Sequence, residues 1–170
     1  MSRGVAERAE LLAALVGEFR QLSAATIMFH QAVADRLGMN VTDHKCADLL
    51  ERNGPLTAGE LAQRTGLTTG AITGVIDRLE QAGFVRRAKD PGDRRRVIIE
   101  PCYKRMGQVI GPLFESMGRA AAALCARYST EELGVIRDFV ARAHQMALEE
   151  ARKLRDAGAA RTGKAAKRRK

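Results

Sequence analysis

The stretch that decides the fold is LTAGELAQRTGLTTGAITGVIDRLEQAGFVRR, residues 56–87. Thr57 and Glu60 form a capping-box pattern, which predicts the start of a short helix. Gly66 is suited to end that helix, and Thr68 is a good N-cap for a second one. Two helices joined by a glycine turn predict a helix-turn-helix.

The second helix, which is predicted to end at Ala82, has two chemically different faces. One face is an apolar stripe with helical spacing, made of Ile72, Val75, Ile76 and Leu79. The opposite face has no large apolar side chain and is small near its N-terminus, so it fits a major groove about 12 Å wide. The helix N-terminus adds hydroxyls and free amides suited to phosphate oxygens. The DNA contacts predicted for this helix are Thr68, Thr69, Gly70, Thr73, Gly74 and Arg78.

A basic β-hairpin is predicted directly after this helix. Residues 84–89 and 97–100 have strand patterns, and Asp90-Pro91-Gly92-Asp93 between them is turn chemistry. Residues 86–96 carry six basic and two acidic side chains, a local charge of +4. An arginine at a hairpin tip can enter the narrow minor groove, and a nearby aspartate can hold it extended. The hairpin residues predicted to act at DNA are therefore Arg86, Lys89, Asp90, Asp93, Arg94, Arg95 and Arg96.

The charge of the chain is concentrated at its C-terminus. The net charge is +9, and residues 152–170 supply +8 of it through nine Lys/Arg and one Asp. The high isoelectric point therefore does not show that the folded body binds nucleic acid. The tail is either a solubilising extension or a non-specific grip on phosphates.

Long helices are predicted on both sides of the helix-turn-helix. The first covers about residues 5–37 and is roughly 50 Å long, more than one subunit readily covers, so a partner chain is the simplest cover. Another begins at Thr42 as N-cap. A third covers about 103–128 with a break at Gly111-Pro112, and a fourth runs from a capping box at 129–132 to about Leu154.

These elements define a mainly α fold with a small β-hairpin wing, flanked by long dimerisation helices. The predicted parts are an N-terminal dimerisation helix over 1–40, a winged helix-turn-helix over 41–101, C-terminal dimerisation helices over 102–155 and a disordered basic tail over 156–170. Disorder is expected from Asp156 onward because no apolar face remains there.

The sequence resembles the MarR family of regulators in residues 56–62, 66–80 and 83–87, and its wing, Asp90-Pro91-Gly92-Asp93-Arg94-Arg95, is similar to that family's wing signature. The resemblance implies a homodimer with interlocking terminal helices, bound to a pseudo-palindromic operator. It places the major-groove contacts at Thr69, Gly70, Thr73 and Gly74, a backbone or base contact at Arg78, and the wing tip at Arg94 with Asp90 or Asp93 as its orienting partner. The sequence departs from the family at Gly74, Pro101-Cys102 and Gly111-Pro112.

The same resemblance implies a small aromatic effector, because many members respond to small aromatic or phenolic ligands and some to thiol oxidation. His30 and His44 are the candidate ligand-lining residues. The three histidines are too dispersed to indicate a metal site, and no cofactor or enzyme motif is present. The three cysteines include no CxxC pair, so a disulfide framework is not expected, and any redox role stays open.

Three classes of function fit these features to different degrees. The first is a cytoplasmic, sequence-specific transcriptional regulator, with repression as the family's commonest mode and no membrane partner. The alternative is an architectural protein that coats DNA with its winged helix and basic tail. A winged helix used only for protein contact would not need six basic wing residues.

Overall fold

The computed structural model describes the backbone of residues 2–167 and the side chains of residues 4–157. Within this part of the chain the helices are α1 Ser2–Arg36, α2 Val41–Asn53, α3 Ala58–Thr65, α4 Thr69–Gln81, α5 Tyr103–Val109, α6 Gly111–Cys125 and α7 Thr130–Lys167, and the strands are β1 Leu56–Thr57, β2 Val85–Lys89 and β3 Val97–Pro101. The chain forms two compact units, one up to Leu113 and one from Phe114. The mainly helical fold with a small wing is therefore confirmed.

The sheet has three antiparallel strands in the order β1-β3-β2. The wing hairpin pairs Val85 with Pro101 and Lys89 with Val97, as the two strand patterns predict. The short strand β1, which pairs Leu56 with Ile99, was not predicted, because two residues are too few to show alternation. This strand ties the start of the helix-turn-helix to the wing.

The core of the first unit is built around α4. Its predicted apolar stripe, Ile72, Val75, Ile76 and Leu79, is buried as expected. Helices α2 and α3 and strand β2 pack against α4, and the most buried side chains of the core outside α4 include Leu50, Leu61, Ile99 and Met106. Each such side chain contributes about 1.5–3 kcal/mol when fully buried. Burial of one face fixes which face of α4 is left for solvent.

The helix ends follow local capping chemistry. Thr57 and Glu60 form the predicted capping box, and Thr68 caps α4 by accepting a hydrogen bond from the Ala71 amide. The prediction that Thr42 caps α2 is wrong, because the Asn40 side chain accepts from the Asp43 amide instead. Gly66 has a φ of 74°, the left-handed conformation that ends α3 and permits the tight turn into α4.

The structure interrupts the helix next to the predicted Gly111-Pro112, at the single residue Ile110. Helix α5 ends at Val109 and α6 begins at Gly111, which puts Pro112 in the first turn of a new helix. Proline is tolerated there because that turn has no intrahelical acceptor for its missing N–H.

The second unit contains the rest of α6 and the long helix α7. The predicted capping box opens α7, with the Glu132 carboxylate accepting from the Ser129 amide at 2.8 Å. The prediction that order ends near Leu154 and that disorder begins at Asp156 is wrong for residues up to Lys167, which are helical. Alanine, lysine and arginine have high intrinsic helix propensity even where no apolar face is present. The prediction missed this helix because it relied on an apolar face. Residues 168–170 of the predicted tail lie outside the described residues.

Candidate nucleic-acid interface

The face of α4 opposite the core is open to solvent, as the two-faced pattern predicts. Thr69, Gly70, Thr73 and Arg78 are exposed and Gly74 is half-buried. The Thr73 hydroxyl donates to the Thr69 carbonyl at 3.0 Å, so its oxygen keeps acceptor capacity toward an external donor. Thr68 uses its own oxygen to cap the helix.

The two glycines of this face are not required by packing within the chain. A Cβ added at Gly70 meets nothing within 4 Å, and one at Gly74 meets only Nη1 of Arg78 at 3.5 Å, an ordinary contact. Glycine in a helix interior is less stable than alanine by about 1 kcal/mol. The small residues on this face therefore permit a binding partner to approach the backbone of α4 closely.

Arg78 is tied to a buried carboxylate of α2, a contact that the sequence did not indicate. Its Nε lies 2.7 Å from Oδ2 of Asp43 and its Nη2 lies 2.7 Å from Oδ1, a bidentate fork. Asp43 is only 3% exposed. Hydrogen bonding to this carboxylate raises the pKa of Arg78. The Arg78 guanidinium is thus held by α2 while it stays beside Gly74 of α4.

Three of the six basic wing residues are engaged inside the fold. Arg86 pairs with Glu100 on the adjacent strand at 2.7 Å. Arg87 bridges to both Asp77 and Glu80 of α4, and these hydrogen bonds raise its pKa and fix β2 to α4. Arg96 lies 3.6 Å from Glu60 of α3 and 3.9 Å from Asp90, longer and weaker ion pairs.

The remaining wing cations, Lys89, Arg94 and Arg95, are exposed, and within residues 4–157 none of them is paired with a carboxylate. The orienting partner expected for Arg94 is not observed. Asp90 instead accepts from the Gly92 amide at 2.8 Å, and Asp93 accepts from the Arg95 amide at 3.0 Å. The two aspartates therefore shape the loop backbone, because their oxygens are nearer to loop amides than to the Arg94 guanidinium.

The two candidate ligand residues, His30 and His44, are in direct contact. Nδ1 of His30 lies 3.1 Å from Nε2 of His44, so one nitrogen donates and the other accepts. Both line a cavity of about 350 Å³ between α1 and α2, together with Thr26, Ile27, Val41, Lys45, Asp48 and Arg52. Burial, and then the charge of His30, lower the pKa of His44 while Asp48 opposes the shift.

Within the described residues no group of three or more His, Cys, Asp or Glu is placed to hold a metal ion. Burial raises the pKa of Cys46 to about 11, so its thiol is protonated near neutral pH. Cys102 is half-buried and Cys125 is exposed.

Sequence reasoning missed Asp43 as part of this surface. Its partner is 35 residues away in the chain, and nothing in local periodicity joins them. A weak signal was present, because an acid three residues after Asn40 is typical of a helix N-terminus and becomes buried when that terminus packs.

An exposed helix with a small-residue face, next to a hairpin with unpaired cations, defines a DNA-binding protein of the winged helix-turn-helix class. Residues 39–97 match the model of the MarR family. The uncharacterised HTH-type transcriptional regulator YcgE of Bacillus subtilis is 46% identical over 148 residues, which are 87% of this chain and 96% of YcgE. The chain belongs to the MarR family of transcriptional regulators.

Two further comparisons agree with this assignment. The HTH-type transcriptional repressor NicR of Pseudomonas putida is 39% identical over 51 residues, 30% of this chain and 32% of NicR. The structure of the transcriptional regulator Tm0710 from Thermotoga maritima matches with a TM-score of 0.58 at 21% identity, over 79% of this chain and 94% of that one, which supports the fold alone. These relatives are transcriptional regulators and not enzymes.

Proposed function

We propose that this protein is a homodimeric, sequence-specific repressor that binds a pseudo-palindromic operator. The observation that carries the proposal is an exposed α4 face of small residues together with the exposed wing cations Lys89, Arg94 and Arg95, in a fold where Arg87 ties the wing to α4. A helix of this kind suits the major groove, and a cationic hairpin tip suits the flanking minor groove. Similarity to a relative named as a transcriptional repressor, NicR, supports repression over activation.

Dimer formation is supported by apolar surface that each unit exposes by itself. On α1 the exposed apolar side chains include Leu11, Leu12, Val16, Leu22, Ile27 and Met28, and on α7 they include Val135, Phe139, Val140 and Met146. Contiguous apolar surface on a helix marks a protein interface or a membrane contact. A second copy of the chain, held by these helices, would also supply the second half-site reader.

The helix over Gly4–Arg36 is long and apolar enough to cross a membrane by length and composition alone. We assign its apolar side chains to the dimer interface and the protein to the cytoplasm, where the operator DNA lies. Fractionation of cells should recover the chain with the cytosol, and recovery with the membranes would contradict this assignment.

A small aromatic effector is proposed for the cavity that His30 and His44 line. Its volume of about 350 Å³ is at the small end of ligand pockets and suits a single ring. Binding between α1 and α2 would shift the balance between dimer shapes with different spacings of the two recognition helices. Calorimetric titration with salicylate should show binding that is weakened in His30→Ala. Equal binding by that variant would place the ligand elsewhere.

The decisive experiment is genome-wide mapping of binding sites, with a footprint of the strongest site. A specific regulator is expected to occupy few sites that contain an inverted repeat. The competing function, an architectural DNA-coating protein, is favoured by the +8 charge of residues 152–170 and predicts uniform occupancy with a steep salt dependence. Uniform occupancy would overturn the proposed function.

A further inference from the structure

The guanidinium of Arg78, on α4, is held in position by contacts with α2. Two of its three guanidinium nitrogens, Nε and Nη2, are held at 2.7 Å by the carboxylate of Asp43. The carboxylate side chain is 4% exposed, whereas the Arg78 side chain is 52% exposed. The pair therefore has a buried anchor and an accessible head.

The anchor is itself held in place. Asp43 donates its backbone amide to the Asn40 side-chain oxygen at 2.8 Å, and its Oδ2 accepts from Nδ2 of Asn40 at 2.9 Å. Both carboxylate oxygens are thus engaged, and the capping bond fixes Asp43 at the first turn of α2. The Arg78 guanidinium is therefore held by contacts within the chain.

The third nitrogen, Nη1, takes no part in the pairing with Asp43. It is 3.5 Å from the point that a Cβ on Gly74 would occupy, so it lies over the bare backbone of that glycine. Asn40, Gly70, Gly74 and Arg78 line one shallow groove along this face. A guanidinium has five N–H groups, and the fork uses two, which leaves three to donate into the groove.

We propose that Asp43 is a positioning residue for operator recognition. It holds Arg78 so that the Nη1 edge donates hydrogen bonds to acceptors of the operator along the Gly70–Gly74 face. The inference rests on the proposed function, in which α4 is the recognition helix. An arginine without such a partner loses side-chain conformational entropy when it binds. The bidentate pairing with Asp43 reduces that cost of binding, because the side chain is already ordered.

The test compares Asp43→Asn with the wild type on the strongest mapped site and on a shuffled duplex, by fluorescence anisotropy. The amide keeps the shape but cannot accept from both Nε and Nη2. Operator affinity is expected to fall about tenfold. Affinity for the shuffled duplex should not fall, because the variant is one charge more positive. Glu51→Gln is the matched control, since it makes the same charge change at an exposed residue of α2.

A double-mutant comparison separates positioning from general support of the fold. If Asp43 acts through Arg78, then Asp43→Asn should cause no further loss of operator affinity in an Arg78→Ala background. If Asp43→Asn fails to fold, Arg78→Lys is the second variant. It keeps the positive charge but cannot form the fork, so it should lose about tenfold in operator affinity as well.

Three results would overturn the inference. A folded Asp43→Asn with wild-type operator affinity would do so, as would an equal loss of affinity in the Arg78→Ala background. Full operator affinity in Arg78→Lys is the third. A wild-type chain that binds the operator and the shuffled duplex equally would be a different failure, because it overturns the proposed function and removes the basis of this inference.

Discussion

At the scale of single residues, pairing decides what each cation is available for. Arg87 and Arg94 belong to the same hairpin and carry the same charge, but Arg87 bridges Asp77 and Glu80 while Arg94 is exposed and unpaired within the described residues. Arg87, paired through both terminal nitrogens, supports the fold, and the unpaired Arg94 keeps its donors for phosphate or a groove.

Arg94→Ala is expected to weaken operator binding about tenfold or more without changing thermal stability. The slope of log K against log salt should become shallower by about 0.9, because one phosphate-neutralising charge is lost. Arg87→Ala is the matched control, because it removes a wing arginine that is already paired with Asp77 and Glu80. It should lower the free energy of unfolding by about 1 kcal/mol through loss of its ion pairs. Unchanged operator affinity in Arg94→Ala would contradict the wing-tip assignment.

His44 should make stability depend on pH in the range where histidine titrates. Burial and His30 hold its pKa below the ordinary value of 6.5, so the unfolded chain takes up the proton more readily. Stability is therefore full above that value and falls as the pH drops through it toward the folded-state pKa. Denaturant unfolding between about pH 7.5 and 5.5 measures this, above the range where carboxylates titrate.

His44→Gln should flatten the pH dependence of unfolding in that range. His144→Gln is the control, because His144 is exposed on α7 and its removal should leave the profile unchanged. A His44→Gln profile as steep as that of the wild type would show that burial of this imidazole does not govern acid sensitivity.

At the scale of elements, α4 combines a stabilising face with a face that lowers its own stability. The stripe from Ile72 to Leu79 anchors it, whereas Gly70 and Gly74 weaken the helix with no packing benefit inside the chain. Such a conflict between local propensity and structure is expected at functional sites.

Replacing both Gly70 and Gly74 by alanine should raise the melting temperature and weaken operator binding. Each alanine is expected to stabilise α4 by up to about 1 kcal/mol, since both positions have room for a Cβ. The added methyl groups would keep α4 away from base edges. Gly107→Ala in α5, which also has open space, should raise stability alone. Wild-type operator affinity in the double variant would refute close approach at these glycines.

At the scale of the whole molecule, the helices outside the DNA-binding region expose much of their apolar surface. Within residues 4–157, Leu12 and Val16 on α1 are 51% and 54% exposed, and Val135 on α7 is 71% exposed. We propose that dimerisation covers these side chains, so that the functional unit would be two copies of the chain.

Light scattering after size exclusion should give twice the mass of one chain for the wild type. Leu12→Glu combined with Val16→Glu should shift the protein toward the monomer and reduce operator affinity, because charge is placed in an apolar interface. Gln63→Glu on α3 adds an exposed charge and should leave the mass unchanged. A dimer that survives the double change would exclude this face of α1 from the interface.

The sequence by itself determined the features that depend on neighbours within a few residues. The capping box at Thr57, the turn at Gly66, the α4 stripe, the interruption next to Gly111 and the wing hairpin each follow from local sterics, capping and periodicity. These were enough for the fold class, the family resemblance and the exposed face that we assign to DNA.

Tertiary structure decided how side chains from separate elements are paired. Arg78 is forked by Asp43 from 35 residues away, His30 meets His44 across 14 residues, and Arg87 is held by Asp77 and Glu80 of α4. Periodicity along the sequence cannot predict these pairings, because ion pairs and buried hydrogen bonds depend on which elements pack together. The sequence therefore indicated where the charges lie, and only the packing showed which of them are free to bind DNA.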